Sequence, residues 1–281
     1  MILNFKRGNI YILVLLMTIT LLVTGCNNSS NKYNDEVDLI NSAKVNLLNA
    51  SNMRIDCVIN VSEKDNEKSK LREVVINNDD GSWYTYTHDK NSENDINSVE
   101  QLYFNGEKCT RFEDSDWMIE DNYENKAIPV LNEITTFNFT NEDCKSVNVK
   151  EEGGYSDITI TYTTDFINRI KEKIIEKSVK SLNDIKEQNK GSEQLINDME
   201  AQIEQLKNTT YDMYKVDFII DDSGVLVGRN LYVILKRPAL FYNEVENELE
   251  EVKFTQNISV ESYNNEENNE MLSQYINEIG L

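Results

Sequence analysis

From Ile55 to Tyr263, apolar residues recur mostly at every second position, and short turn signals cut the runs apart. A spacing of two sends alternate side chains to opposite faces of an extended strand. Tight turns make neighbouring strands antiparallel, because a parallel pair needs a crossover of about a dozen residues. Ile55, Cys57, Ile59 and Val61 alternate with Arg54, Asp56 and Asn60 in the first run, and Leu71 to Ile76 form a second. Asn78-Asp79-Asp80-Gly81 reads as a turn before a third strand at Trp83 to Thr87. After a polar loop at Ser92 to Ser98, Leu102-Tyr103-Phe104 meets Asn105-Gly106, a strong hairpin signal, with Lys108 to Phe112 as the return strand. Trp117-Met118-Ile119 is a further short strand. Cys144 to Val149 and Ser156 to Thr163 form a hairpin through Gly153-Gly154. Met213 to Ile220, Val225 to Leu235, and one or two strands within Val252 to Tyr263 complete the set.

The period changes to that of a helix in three places. Asp35 to Ala50 carries an apolar face of Val37, Ile40, Val45 and Leu48, widened by Leu39, Ala43 and Leu47, with Asn34 or Asp35 as N-cap. Phe166, Ile170, Ile174, Val179, Leu182 and Ile185, then Leu195, Met199, Ile203 and Leu206, predict two helices or one hinged helix over 165–208, interrupted at Gly191-Ser192. A terminal helix at Glu267 to Ile279 has Met271, Leu272, Tyr275 and Ile279 on its apolar side. Asn122 to Phe139, with Pro129, reads as a connector and a helix, and Phe241 to Glu250 as an acidic linker or helical turn. The fold class is therefore α+β: a large antiparallel sheet with an N-terminal helix and an inserted helical hairpin. A sheet of that size must curl or be covered.

The first residues stand apart from this pattern. Lys6 and Arg7 precede an uncharged apolar run from Ile10 to Val23, and Gly25 sits directly before Cys26. This is a secretory signal layout, to be set aside from the fold. A membrane span is a poorer fit, since it needs about 20 apolar residues, and Thr18, Thr20 and Thr24 interrupt the run. Leu22-Val23-Thr24-Gly25-Cys26 resembles the lipobox of bacterial lipoproteins. The resemblance implies a diacylglyceryl group on the Cys26 thiol and cleavage before it, which divides the chain into a signal peptide (1–25), a lipidated tether (26–34) and one domain (35–281). It implies a location at the extracytoplasmic face of the cell membrane. Two acyl chains at one site meet the need for more than one anchoring chain.

Loss of Lys6 and Arg7 with the signal takes the formal charge from −22 to −24. So acidic a surface repels nucleic acid and anionic lipid headgroups, which argues against DNA, RNA and polybasic membrane binding. His88, beside Asp89 in a polar stretch, is the one histidine of the chain, which leaves little scope for His-based catalysis or His-rich metal sites. Cys57, Cys109 and Cys144 form no CxxC pair. They are either buried small hydrophobes or one disulfide with an unpaired third. Asp79-Asp80 and Asp221-Asp222 precede Gly in turns, where Asp is favoured for backbone reasons. No nucleophile elbow, zinc-protease, phosphate-loop or dinucleotide motif occurs, so neither an enzymatic activity nor a cofactor is expected.

The helix at 35–50, the strands from Ile55 to Phe112, Trp83-Tyr84, Tyr103-Phe104-Asn105-Gly106 and Trp117 together resemble the LolA/LppX-like lipoprotein domains, including uncharacterised lipoproteins of Gram-positive bacteria. The resemblance covers most of 35–263. It implies a strongly curved sheet, an unclosed barrel wrapped around helices, whose concave face is often an apolar cavity for lipids or acylated proteins. The helical segment at 165–208 is longer than that family leads one to expect. On this reading, the candidate ligand-binding residues are those on the Ile55 face, Ile55 and Ile59, with Trp83 and Tyr103. The aromatics of the Trp83–Trp117 region also suit ordinary sheet core, and sequence does not separate inward from outward. The 165–208 insert is either a lid or partner-binding hairpin, or core filling. The alternative function is an envelope protein-interaction or sensing module with no ligand cavity.

Overall fold

The computed structural model describes residues 33–63, 66–89, 98–113, 115–120, 139–187, 192–238 and 249–279. The signal segment, Cys26 and most of the tether lie outside the described residues, as do the 92–97 loop, Pro129 and its neighbours, Gly191 and Phe241 to Glu248. The chain order is α1 (Asn34–Leu48), β1 (Asn52–Glu63), β2 (Asn66–Asn77), β3 (Trp83–Asp89), β4 (Ser98–Phe104), β5 (Glu107–Phe112) and β6 (Met118–Glu120). It continues with β7 (Cys144–Glu152), β8 (Tyr155–Tyr162), α2 (Thr164–Glu187), α3 (Glu193–Lys207), β9 (Thr210–Asp221), β10 (Leu226–Pro238), β11 (Leu249–Tyr263) and α4 (Glu266–Ile279).

The eleven strands make one sheet in the order β6-β5-β4-β3-β2-β1-β11-β10-β9-β8-β7. Each adjacent pair is antiparallel. The first and last strands pair at its centre, Cys57 opposite Ile258, so two meanders spread outward from one seam. β6 and β7 remain as edges, and the sheet does not close into a barrel. Eight strands precede the helical insertion and three follow it; Leu249–Tyr263 is one long strand rather than two.

The turns form for the reasons the sequence suggests. Asn105 (φ 50°) and Gly106 (φ 86°) are both left-handed, as a two-residue hairpin turn that matches strand twist requires. Asp80 Oδ1 accepts from the Ser82 amide and hydroxyl, and Asp221 Oδ1 accepts from the Ser223 and Val225 amides. Both acidic pairs thus hold turns.

The inner face is buried across most of the sheet, and the outer face over β2–β5, while the outward positions of β7 and β11 are largely exposed. The inner face of β1, β2 and β8–β11 forms one cluster with Val37, Ile40, Ala43 and Leu47 of α1 and Phe166 and Ile167 of α2. On the outer face, Val75, Tyr84, Leu102 and Cys109 are covered by Leu272 of α4. The Tyr84 and Tyr275 rings stack there, 3.7 Å apart. Tyr84 also donates to Glu100, which takes a forked ion pair from Arg111.

Several sequence expectations need correction. The buried stripe of α1 is Val37, Ile40, Ala43, Lys44 and Leu47. Leu39, Val45 and Leu48 are exposed. The helix is apolar on more than one side, and the true stripe runs through a charged residue. Asn34 does not cap α1 but accepts from the Asn141 side chain, a tertiary contact. In α2, Val179 is exposed and Ser178 is buried, its hydroxyl bonded back to the Ile174 carbonyl. His88 lies within β3, half-buried and stacked on Tyr86, not in a loop. Cys57, Cys109 and Cys144 are all free and buried. Cys109 is on the outer face, while Cys57 and Cys144 lie on strands five positions apart in the sheet, so no pair meets the reach of a disulfide.

Candidate functional site

The inner face at the seam gathers the residues that the sequence singles out. Ile55 sits between Val74 on β2 and Val260 on β11. Ile59, one inward step along β1, lies beside Gln256 of β11. Ile76, Trp83 and Tyr103 follow one another across β2, β3 and β4 on the same face. The Trp83 and Tyr103 rings stack with centroids 5.9 Å apart and planes within 17°. Ile55, Ile59 and Trp83 are buried in the inner cluster, and Tyr103 packs against it half-buried. All four candidates therefore share one continuous apolar face. Tyr103 is its partly exposed margin.

Sequence reasoning missed the polar groups set into that face. Lys44 of α1 is 4% exposed, Arg229 of β10 2%, and Gln256 of β11 4%. The Lys44 ammonium lies 5.1 Å from the Phe139 ring and 5.4 Å from the Phe218 ring, a cation held between two aromatic faces. Arg229 is the cross-strand partner of Phe218, which brings the second cation to the same place. Its Nη1 donates to Gln256 Oε1 at 3.2 Å, and Gln256 in turn approaches the Cys57 sulfur. Burial, then the Arg229 charge, pulls the Lys44 pKa from 10.5 down to about 7. A signal for these residues exists. Lys44 falls four residues after Ile40 and three before Leu47, while Arg229 and Gln256 are in phase with Leu231 and Ile258.

The buried acids of the same cluster are held in their neutral forms. Burial, then the charge of Asp143, pushes the Cys144 thiol up to about 12. Burial raises Tyr162 and Tyr214 well above the ordinary phenol value. None of these supplies an anionic nucleophile near neutral pH. The face is hydrocarbon and aromatic surface around two buried cations, and α1 and the root of α2 pack against it.

A second polar group closes the rim. Arg237 at the end of β10 pairs with Glu63 at the end of β1 and with Glu250 of β11 at 3.1 Å. Burial, then the neighbouring Glu63, raises Glu250 to about 7. Burial works against the Glu63 charge, but hydrogen bonds with Glu250 and Arg237 outweigh it and hold its pKa below the usual value. The two carboxyls share the arginine as a unit.

The helical hairpin joins this face only at its base. Phe166 and Ile167 enter the inner cluster and Ile170 packs against it. The Phe166 ring stacks on Tyr162 at 4.4 Å. Beyond Ile170, α2 packs along α3. Lys171 Nζ ties the two helices by donating to the Lys207 and Thr209 carbonyls. The hairpin is thus core at its root, and its remaining length is not part of the inner cluster.

The sequence matches no known family model and no curated protein. Solved structures give distant likenesses. A structure of LprF from Mycobacterium bovis is 9% identical, with a TM-score of 0.37 over 82% of this chain and 93% of that one. The Mycobacterium tuberculosis lipoprotein LppX is 8% identical, with a TM-score of 0.35 over 81% and 94%. A LolA superfamily protein from Nitrosomonas europaea is 10% identical, with a TM-score of 0.23 over 80% and 93%. At these scores the likenesses say nothing about individual residues or ligands.

Proposed function

We propose that this chain is a non-enzymatic lipoprotein of the extracytoplasmic membrane face, anchored through Cys26, whose inner sheet face binds a lipid or other apolar ligand. The observation that carries the reading is the placement of Ile55, Ile59, Trp83 and Tyr103 on one continuous apolar face. The neutral state of the buried thiol and phenols supports binding over catalysis.

The two tryptophans make the test direct. Trp83 lies on the inner face and Trp117 on the outer side, under the Arg111 guanidinium. A Trp117→Phe protein reports on Trp83 alone and should be quenched saturably by a nitroxide-labelled fatty acid. A Trp83→Phe protein should be quenched far less. Equal quenching of the two, or none, refutes a ligand on the inner face. The protein-interaction reading draws support from the β6 edge, where Met118 and Ile119 are each about half exposed. That reading predicts no quenching and a partner captured through β6.

A further inference from the structure

At one end of the sheet, residues 78–81, 105–106, 153–154 and 222–224 connect strands in tight turns, and the chain also leaves β6 there after Glu120. The α1 C-terminal half reaches the same end, where Asn46 donates to the Gly224 carbonyl and Asn78 to the Ala50 carbonyl. The connections 90–97 and 239–248 and the α2–α3 hairpin leave from the opposite end. The chain also enters the domain there. Asn34 at the start of α1 bonds Asn141, just ahead of β7, and the Thr163 amide donates to Asp143 beside it. Arg169 of α2 pairs with the same Asp143. The tether and the root of the hairpin are therefore adjacent.

Two lengths then become comparable. From Cys26 to Tyr33 the chain can extend at most about 25 Å. From Lys171 to Glu187, α2 runs about 25 Å past its last contact with the inner cluster. A surface that holds Cys26 is thus within reach of the hairpin. The turn end lies about 40 Å away along a twelve-residue strand. Charge favours the same orientation. α2 carries six Lys or Arg against five Asp or Glu and α3 beside it one against four, so the described hairpin is acidic by two, less acidic per residue than a chain whose formal charge is −22. Each of the other three described helices has an acidic excess. Lys177 and Lys180, one turn apart, are exposed on one side of α2. A tethered acidic domain beside a negative surface turns its least acidic face inward.

We infer that the hairpin end of the sheet, with the exposed Lys177 and Lys180 of α2, is the surface this protein presents to an anionic lipid bilayer. The inference rests on anchoring through Cys26. It gives the hairpin a role that core filling does not: it stands between the bilayer and the sheet.

Lysine footprinting on native side chains tests this. The chain from Cys26 onward is coupled through that thiol to a maleimide lipid in vesicles of phosphatidylcholine and phosphatidylglycerol. Cys57, Cys109 and Cys144 are buried, which directs the coupling to Cys26. Acetylation is then read at each lysine with and without vesicles. Lys177 and Lys180 should lose reactivity several-fold, and the loss should shrink at high salt. Lys150, exposed beside the 153–154 turn, should not change. Unchanged hairpin lysines, or protection of Lys150 instead, overturns the orientation. Mass analysis of Cys26 in protein taken from cell membranes separates the two readings. Absence of a diacylglyceryl mass there refutes the anchoring itself, which the chemically coupled sample does not depend on.

Discussion

Replacing Lys44 with Met should stabilise the protein, by an amount that falls as pH rises. Lys44 is almost wholly buried, and its pKa drops from 10.5 to about 7. At about 1.4 kcal/mol per pK unit, keeping the side chain charged in the folded state costs about 5 kcal/mol. The two ring faces over which it sits together offset about 2–3 kcal/mol. A net penalty of about 2–3 kcal/mol remains, within the range seen when buried charges are replaced by apolar residues. Met keeps the length and fills the same space. The sign follows from proton counts. Below pH 7, folded and unfolded chains both hold the proton and the penalty is complete. Between pH 7 and 10.5, the unfolded chain holds a proton that the folded chain has released, so stability rises with pH. The buried thiols work in the opposite direction at alkaline pH, but they are common to both proteins and cancel in the difference. Urea unfolding at pH 6 should therefore show Lys44→Met more stable by about 2–3 kcal/mol, with the gap nearly closed by pH 9. A variant less stable than the parent at pH 6, or a gap independent of pH, would refute the reasoning.

Three further outcomes follow from particular contacts. Leu272→Ala removes the buried apolar anchor of α4 and should cost about 2–4 kcal/mol in urea unfolding, while ligand quenching of Trp83 on the opposite face stays intact. Glu250→Gln should raise Tm at pH 8 but not at pH 4. The raised pKa makes the folded chain hold an extra proton between 4.5 and about 7, so the parent loses stability as pH climbs through that window, and the amide does not. Gly106→Ala meets no atom within 4 Å, so its cost is backbone strain alone, about 1–2 kcal/mol in the same assay.

What could be read from the sequence is what local physics determines. Period-two runs and Asn105-Gly106 gave the strands and their antiparallel sense, because face alternation and turn type are set within a few residues. The pairing of β1 with β11 was not legible, since residues some 200 positions apart meet only through the global fold. Parity put Ile55 and Ile59 on one face, Trp83 and Tyr103 stood out only as aromatics, and it is the pairing of β2, β3 and β4 that brings all four to the same face. Lys44 escaped because a charge on an apolar stripe reads as solvent-facing. Burial there depends on Phe139, Phe218 and Arg229, from three distant segments. Val45 and Leu48 were misplaced for the converse reason: a helix apolar on two sides does not say which side is covered. The α4 layer over Tyr84 and Cys109 was undetermined until that part of the sheet was seen to be buried on both faces.

Binding of an apolar molecule on the inner face is the central claim, and native mass spectrometry of residues 32–281, purified gently without signal or anchor, tests it most directly. The account predicts a reproducible added mass that fragments as a lipid and is lost on denaturation. A bare polypeptide mass, unchanged after incubation with a membrane lipid extract, would contradict it.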